Sequence, residues 1–498
     1  MKDLKIISLF FCLLLLSACS KKADDFAIPA TVDAEANAGV DVQDFMWKAM
    51  NYWYFWQEEV PNLADDKFPI SEAGTKAYTE FLKSEANPAD FLTNQLRFSE
   101  DRFTFFSDDY TTLTNSLAGI SKSNGLEFGL INFTGSDSVF GLVRYIIPGS
   151  DAANKDISRG EIFTAVDGQA LTTTNFRDLL FGDVTTYTLN MADFVDNEFT
   201  LNGKEVSLTK EEGLAEDPIF LDKIFEISGE KIGYLVYNGF INEFDEQLNE
   251  VFSRFKSGGV TNLVLDMRYN PGGDVNSSAL LSSMVYGTNT NDVFLKAKYN
   301  NKYQAVLQKN NIDVRRFFRD KTPAGTGVNT LNLSKVYILT TKGSASATEL
   351  VINGLEPYVD VIQIGDVTRG KNEFSVTLVD DRANRYIYSR ERENQIKSSN
   401  NWALQPLVGR NENADGFSEY TAGLTPDFEL KEDLTNMGVL GDQNEPLLAK
   451  AIELITGTVS GKRNTGVQVP VSEFTNSKMF TPVKDNMYVT DVPFIEIE

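Results

Sequence analysis

Two continuous apolar runs, each followed by a turn of small residues, are the feature that most constrains how this chain folds. The runs cover residues 263–266 and 336–339, and helical patterns begin soon after them, near Ser277 and Ser346. Such runs are typical of strands buried on both faces of a sheet, as in parallel sheets covered by helices. The pattern predicts an α/β core with a partly parallel sheet, which we place at residues 214–456.

The residues around this core predict further parts of a multidomain α/β protein. Residues 44–112 show helical spacing and a helix start at Asn87-Pro88, which predicts a small helical N-terminal domain. Its many aromatic residues form either a packed core or a ligand surface, and the need to bury so many rings favours the core. The polar tail at 457–498 is predicted to be irregular, with no assigned function.

Short strands and glycine turns fill residues 113–213. A strand with a Pro-Gly-Ser turn at 148–150, a Gly-Glu-Ile start of a strand at 160–162 and an Asp-Gly turn at 167–168 together resemble a PDZ domain. The resemblance implies a groove that binds an extended C-terminal peptide as an added strand, with backbone amides holding its carboxylate. The expected carboxylate loop contains three candidate residues, Leu126, Phe128 and Gly129. A generic β-barrel without a ligand is the alternative.

Residues 1–18 predict a secretory signal, because two lysines precede an apolar run that is too short to span a bilayer. The segment ends in Leu-Ser-Ala-Cys, which resembles a lipobox and implies lipidation at Cys19, followed by a tether over 19–43. We therefore expect an outer-membrane lipoprotein of a Gram-negative-type envelope, anchored in the membrane by its lipid and facing the periplasm or the cell surface. The other cysteine, Cys12, leaves with the signal, so no disulfide is expected.

The composition excludes several kinds of chemistry. No histidine occurs among the 498 residues, which excludes Ser-His-Asp and Cys-His catalytic units and HExxH zinc sites. The formal net charge of −25 argues against nucleic acid as a partner, because phosphate contacts need lysine and arginine. No metal or cofactor is expected.

The turns after the two buried strands carry the candidate chemistry. Residues 266–273 end in Asn-Pro-Gly-Gly, and glycines there leave backbone amides open to hold an oxyanion. Residues 344–349 place a serine at the start of a helix, where the amide dipoles favour developing negative charge. Without histidine the available base is a lysine, and Lys371 lies in a loop after the predicted strand 361–364. A lysine base near neutral pH needs a pKa about 3 units below its ordinary value, and burial can supply that shift.

At these residues the sequence resembles the C-terminal processing, or tail-specific, serine peptidases of the tricorn and ClpP-like superfamily. The family's DLRxNPGG segment is matched at 266–273 with methionine for leucine, and its SASASE segment at 344–349 with threonine for the last serine. The resemblance implies a nucleophile at Ser346 and a catalytic lysine 25 residues later, at Lys371. It also implies an oxyanion hole built from backbone amides of Gly272, Gly273 and Ala347.

One position departs from the family pattern. The family often has a glutamine four residues after the lysine, where it holds the amine, but this chain has Ser375 there, with Glu373 as a second candidate for orienting the lysine. A serine and a lysine are chemically sufficient without it. Ser346 followed by Glu349 is also the pattern of a capping box, a purely structural helix start.

The sequence thus predicts a lipid-anchored serine endopeptidase that uses a Ser346–Lys371 dyad. Its expected substrates are unfolded or tail-tagged polypeptides with apolar C-terminal tails. Two alternatives stay open: a non-catalytic peptide- or polymer-binding lipoprotein on a peptidase scaffold, and a hydrolase of non-peptide esters.

Overall fold

The computed structural model describes residues 31–195, 198–458, 471–481 and 483–493. The predicted signal segment, Cys19 and most of the predicted tether lie outside these residues. The described end of that tether packs against the folded chain: Val32 and Val40 are buried, and Lys48 Nζ donates to Asp33 Oδ1 at 2.8 Å. No helix within the described ranges is long and apolar enough to cross a bilayer.

The N-terminal part is helical, as predicted. Its elements are α1 (Asp41–Trp53), α2 (Glu72–Leu82), α3 (Pro88–Phe91), a π-helical turn (Leu92–Leu96), β1 (Phe105–Ser107) and α4 (Tyr110–Leu117). Asn87 caps α3 by accepting a hydrogen bond from Ala89 N at 2.8 Å, as the Asn-Pro pair indicates. Trp47, Trp53 and Tyr54 are buried, so these rings form a core.

A β-rich part follows. Its elements are β2 (Ile120–Ser123), β3 (Leu126–Phe133), β4 (Val139–Ile146), β5 (Ile162–Val166), β6 (Gln169–Ala170), α5 (Phe176–Phe181), β7 (Thr186–Val195), β8 (Glu198–Thr209) and β9 (Glu211–Ala215). Strands β3, β4, β5, β7 and β8 form an antiparallel sheet in that order, and β6 pairs with β5. Leu130, Val143 and Phe163 lie in its separate apolar core.

The α/β part contains the remaining helices and most of the remaining strands. They are β10 (Ile219–Ile227), β11 (Glu230–Tyr237), α6 (Asp245–Gly258), β12 (Asn262–Asp266), β13 (Gly273–Asp274), α7 (Val275–Val285), β14 (Val293–Tyr299), α8 (Asn301–Lys309), β15 (Arg315–Phe317), β16 (Lys335–Thr340), α9 (Ala347–Leu355), β17 (Asp360–Gly365), β18 (Glu373–Ser375), β19 (Leu378–Val379), β20 (Ala403–Gln405), β21 (Leu407–Glu412), β22 (Phe428–Glu429) and α10 (Pro446–Thr456).

The central sheet confirms the predicted partly parallel core. Its order is β10-β11-β12-β16-β17-β22, and every neighbouring pair is parallel except β10 with β11. Alternate residues of its strands enter two different apolar clusters. Leu263 and Leu265 pack in the cluster that includes residues of α6, α7 and α9, whereas Val264 packs in the cluster that includes α10. Both faces are therefore covered, which explains the continuous apolar runs.

The C-terminal tail differs from its prediction. It contains two strands, β23 (Val471–Asn476) and β24 (Met487–Tyr488), so the expectation of an irregular tail is wrong for these residues. Strand β23 extends the β-rich sheet beside β3, and β24 lies inside a second six-stranded sheet of order β13-β24-β18-β21-β14-β15. Each strand pairs with residues distant along the chain, so local sequence pattern gives no sign of it.

Candidate active site

Two turns meet at the carboxyl edge of the parallel sheet. Strands β12 and β16 are neighbours, with Leu265 opposite Ile338, so the turns that follow them emerge side by side. Ala345 N donates to the carbonyl oxygen of Asn270 at 3.1 Å, and Thr348 Oγ1 donates to the same oxygen at 3.1 Å. The structure thus brings together the two segments that the sequence singled out.

Arg268 braces the first of these turns. Its guanidinium is completely buried and donates to both carboxylate oxygens of Asp266 at 2.8 Å and to those of Glu445 at 2.6 and 2.9 Å. A further contact reaches Glu432 at 3.1 Å. Because these opposite charges compensate one another away from water, Asp266 and Arg268 hold the turn in place.

Ser346 occupies a strained backbone position just before α9. Its φ of 66° and ψ of −114° lie outside the regions that residues with a side chain usually adopt. Its N–H donates to Glu349 Oε2 at 2.7 Å, whereas its buried Oγ has no hydrogen-bond partner among the described residues. Ser346 and Glu349 have the reciprocal arrangement of a capping box, as their spacing predicts, although the Ser346 Oγ makes no hydrogen bond of normal geometry among the described residues.

The Glu349 carboxylate joins the serine turn to the lysine loop. Oε2 accepts from Ser346 N and from Lys371 N, at 2.7 and 2.9 Å. Oε1 accepts from Gly370 N at 2.6 Å and from Thr368 Oγ1 at 2.5 Å. Burial raises the pKa of Glu349 to about 7, although the four donors oppose that shift. The backbone nitrogens of Ser346 and Lys371 are therefore held on the same oxygen atom.

The Lys371 side chain lies in a low-dielectric pocket. Its amine is buried, lies 5.0 Å from the centre of the Phe103 ring, and donates to Asn486 Oδ1 at 3.1 Å. Burial lowers the pKa of Lys371 from 10.5 to about 8, and surrounding carboxylates, first of all Asp485, oppose the shift. A large part of the lysine is consequently neutral at mildly alkaline pH.

The two candidates for orienting the lysine have other partners. The Glu373 carboxylate accepts from Arg410 at 2.9 Å. Ser375 Oγ donates to Asn486 Oδ1 at 2.8 Å, so the serine and the lysine meet at one amide oxygen instead of contacting each other directly. Asn486 was missed by sequence reasoning, since it lies 115 residues beyond Lys371 in the tail and belongs to no recognisable motif.

Three backbone amides were expected to form an oxyanion hole. The N–H of Gly272 already donates to Asn270 Oδ1 at 2.9 Å. Gly272 itself lies against Ser346, because a Cβ added there would come within 2.5 Å of Ser346 Cβ and 3.0 Å of Ala347 N. Ala347 is the first residue of α9, so its N–H has no partner within the helix. Gly273 has a φ of 135° and pairs with Met487 in the second sheet.

The strand that holds the expected carboxylate loop is covered by the chain itself. Leu126, Phe128 and Gly129 belong to β3, whose free edge pairs with the antiparallel strand β23. Gly129 lies opposite Asn476, and Phe128 N donates to Ser477 Oγ at 3.0 Å. The groove between β3 and α5 is therefore filled by residues 471–480.

A cavity connects this groove to the glycine turn at 270–273. It has a volume of about 400 Å³ and is lined both by Leu126 and Phe128 and by Gly272 and Gly273. Residues of the C-terminal segment, including Phe480, form part of its wall. Within the described residues, no group of acidic or cysteine side chains is arranged to hold a metal ion.

Comparison with known proteins identifies the class. The family model "Peptidase family S41" matches residues 231–430, and the "Peptidase S41 N-terminal domain" model matches residues 41–105. Together they cover more than half of the chain. This protein belongs to peptidase family S41, which confirms the resemblance drawn from its two motifs.

Individual relatives agree with this assignment. The chain is 22% identical over 313 residues to the carboxyl-terminal-processing protease of Picosynechococcus, an alignment that covers 58% of this chain and 64% of the relative. It is 27% identical over 182 residues to a CtpA-like serine protease of Staphylococcus saprophyticus, which covers 35% of this chain and 34% of the relative. The chain thus spans less than two thirds of the length of these curated relatives.

A solved structure extends the comparison to the fold. A Bacteroides fragilis protein described as a candidate S41 protease superposes with a TM-score of 0.62 and is 25% identical in sequence. The match covers 83% of this chain and 97% of that protein. The α/β architecture with its helical N-terminal part is therefore shared.

Proposed function

We propose that this protein is a serine endopeptidase in which Ser346 is the nucleophile and Lys371 the general base. The observation that carries the proposal is the Glu349 carboxylate, whose Oε2 holds the backbone N–H groups of both residues, at 2.7 and 2.9 Å. The Ser346 hydroxyl has no hydrogen-bond partner among the described residues, and Lys371 is a buried lysine with a lowered pKa. Both properties suit a nucleophile and its base; in this structure Lys371 Nζ donates to Asn486 Oδ1, and no hydrogen bond joins it to Ser346 Oγ.

The mechanism follows from these groups. Neutral Lys371 removes the proton from Ser346 Oγ as that oxygen attacks the scissile carbonyl carbon. The amide of Ala347 stabilises the oxyanion together with that of Gly272 or Gly273; the N–H of Gly272 is engaged by Asn270 Oδ1, and Gly273 belongs to the paired strand β13. The protonated Lys371 then gives its proton to the leaving amine of the substrate. The Lys371 amine, neutral again, activates a water molecule that hydrolyses the acyl-enzyme.

The proposed substrates are unfolded or loosely folded polypeptides with an apolar C-terminal tail. The apolar groove between β3 and α5 supports this choice, because Phe128 and Phe181 line it and the cavity beside it reaches Gly272 and Gly273. A peptide strand that takes the place of β23 beside β3 would be held by main-chain hydrogen bonds and by one apolar side chain in the groove.

The test is cleavage of an unstructured polypeptide with an apolar tail by the purified protein, followed by mass spectrometry. Ser346→Ala and Lys371→Ala should each abolish cleavage, and the wild-type rate should rise with pH through about 8. A wild-type protein that binds the polypeptide as well as both variants do, and cleaves nothing, would establish the non-catalytic binding protein instead. Cleavage of a simple ester without cleavage of any polypeptide would favour the esterase.

We also propose that the protein is anchored to the outer membrane by lipid on Cys19. The support is the lipobox pattern that ends at this cysteine. Metabolic labelling with a radioactive fatty acid should mark the wild-type chain and leave a Cys19→Ala variant unlabelled. Labelling of both the wild type and the variant, or of neither, would refute lipidation at Cys19.

A further inference from the structure

Strand β24 of the C-terminal tail lies between the two halves of the proposed catalytic site. Met487 pairs in parallel with Gly273 on one side, and Tyr488 pairs with Ser375 on the other. Val489 N also donates to the carbonyl oxygen of Ser375 at 3.0 Å. The tail thus links the glycine turn to the strand that follows Lys371.

This part of the tail is firmly held. Met487, Tyr488 and Val489 are buried. Further on, Arg316 pairs with both carboxylate oxygens of Asp491 at 2.8 Å. A residue on this segment therefore has a fixed place relative to the lysine pocket, as a positioning group needs.

Asn486 precedes β24 and accepts two hydrogen bonds at one atom. Its Oδ1 lies 3.1 Å from Lys371 Nζ and 2.8 Å from Ser375 Oγ. A neutral lysine amine has two N–H groups and one lone pair, so a bond to Oδ1 leaves the lone pair available for a serine hydroxyl. Because an amide oxygen carries no charge, it holds the amine without favouring the protonated form as a carboxylate would.

The charged groups around the amine already have partners. Asp485 pairs with Arg369 at 2.9 Å, and Glu373 pairs with Arg410 at 2.9 Å. Asp101 accepts from Tyr54 at 2.6 Å and from backbone amides, and Glu349 is held by its four donors. Asn486 is consequently the described side chain that holds the lysine amine by a direct hydrogen bond.

We propose that Asn486, supplied by the C-terminal tail, is the residue that positions the Lys371 amine toward Ser346. It takes the part that a glutamine at position 375 has in related peptidases, and Ser375 supports it from behind. The proposal rests on the Ser-Lys function proposed above. It gives the tail, for which the sequence suggested no function, a direct place in the site.

The test compares kcat, KM and pH profiles of four variants. Asn486→Ala should lower kcat about tenfold or more and leave KM nearly unchanged, because the amine loses its orientation. Asn486→Asp should move the rise of kcat about one pH unit or more upward, because a carboxylate beside the amine favours its protonated form. Adding Ser375→Gln to Asn486→Ala should restore part of kcat. Val489→Ala is the matched control, since it weakens the packing of the same tail segment without touching the amine, and its pH profile should stay that of the wild type.

Three results separate failure of this proposal from failure of the proposed function. Loss of cleavage in Ser346→Ala and Lys371→Ala, with a wild-type kcat and pH profile in Asn486→Ala, would overturn the positioning role alone. Equal losses in Asn486→Ala and Val489→Ala would reduce Asn486 to a structural residue. If the wild type cleaves nothing, the pKa of Lys371 is measured chemically. The rate at which an amine-acylating reagent modifies the Lys371 amine is followed as a function of pH. An unchanged value in Asn486→Asp then refutes the contact as well.

A different observation carries a second proposal, on the groove of the β-rich sheet. Strand β23 adds to β3 in the antiparallel direction, with Val471 opposite Phe133 and Asn476 opposite Gly129. Beyond it, Phe480 stacks on Phe181 of α5, with ring centres 3.9 Å apart and planes at 13°. An added strand followed by one apolar side chain in a pocket is the arrangement by which such sheets bind peptides.

We infer that residues 471–480 are a resident ligand of this groove, which a substrate tail has to displace. The segment is also held by charge, because Glu473 pairs with Arg144 at 2.5 Å and Lys478 with Glu216 at 2.9 Å. The inference rests on the tail-binding part of the proposed function.

Binding of a fluorescent peptide with an apolar C-terminus tests this inference. Phe480→Ala should bind the peptide about tenfold more tightly than the wild type, because the competing segment loses the packing of a partly buried phenylalanine side chain. Phe428→Ala, which removes a phenylalanine outside the groove, should bind like the wild type. Excess peptide should also speed amide hydrogen exchange in 471–480. Equal binding by all three proteins with unchanged exchange would overturn the resident ligand, whereas faster exchange in Phe480→Ala without any peptide binding would refute only the tail-binding function.

Discussion

Replacing Lys371 with methionine tests the physical basis of the proposed base. The lysine is fully buried, and its pKa falls from 10.5 to about 8 because burial disfavours the charged amine. A shift of this size costs the folded protein about 3 kcal/mol wherever the amine is charged in both states. Methionine has a similar length and no charge, so it removes this cost.

The sign of the effect depends on pH. Below about pH 8 the lysine is protonated in both the folded and the unfolded protein, and the full cost applies. Between about 8 and 10.5 the unfolded chain binds more protons than the folded one, so wild-type stability rises with pH. The variant also loses the hydrogen bond to Asn486, and this loss offsets about 1 kcal/mol of the stability gained by removing the buried charge. Lys371→Met should therefore be about 2 kcal/mol more stable than the wild type near neutral pH, with the difference disappearing toward pH 10.

Urea unfolding of both proteins at several pH values measures this difference, and a peptide-cleavage assay on the same samples should find the variant inactive. Lys371→Arg serves as a control that keeps a charge at the position at every pH, so its stability relative to the wild type should worsen as pH rises. The reasoning is refuted if Lys371→Met is less stable than the wild type at neutral pH. A stability difference that does not change with pH would refute it equally.

Three further substitutions test the site around the lysine. Ser346→Ala should lower cleavage at least about a thousandfold but change the free energy of unfolding by less than about 0.5 kcal/mol, because the buried Oγ has no partner to lose; a large loss of stability by urea unfolding would contradict this. Gly272→Ala should strongly reduce kcat, because its Cβ would lie 2.5 Å from Ser346 Cβ, and a wild-type rate would show that the turn can move aside. Arg268→Met should destabilise the protein by about 3–5 kcal/mol in urea, since it leaves Asp266 and Glu445 as buried unpaired carboxylates, and a neutral effect would show that the network is not needed.

The sequence predicted the core of the fold well, and it named two candidate site residues. Residues 263–266 and 336–339 appear as β12 and β16, because strands buried on both faces must be apolar along their whole length. Ser346 and Lys371 were placed by motif and spacing, and the structure holds their backbones on one carboxylate oxygen of Glu349.

Other features of the site could not be predicted. Glu349 had a visible pattern as part of a helix cap, but its bonds to Gly370 and Lys371 cross more than twenty residues of sequence. Asn486 had no signal at all, because a single asparagine in a polar tail looks like any solvated residue. Its importance comes only from the pairing of β24 with β13 and β18.

By itself the sequence determined the class of fold and excluded imidazole chemistry, since apolar periodicity and residue inventory are local properties of the chain. The tertiary structure alone decided how far the pKa of Lys371 falls, which atom accepts a hydrogen bond from its amine, and which segment fills the groove beside β3. Each of these depends on burial and on contacts between residues far apart in the chain. Desolvation and long-range pairing arise only when the chain has folded, so no reading of neighbouring residues contains them.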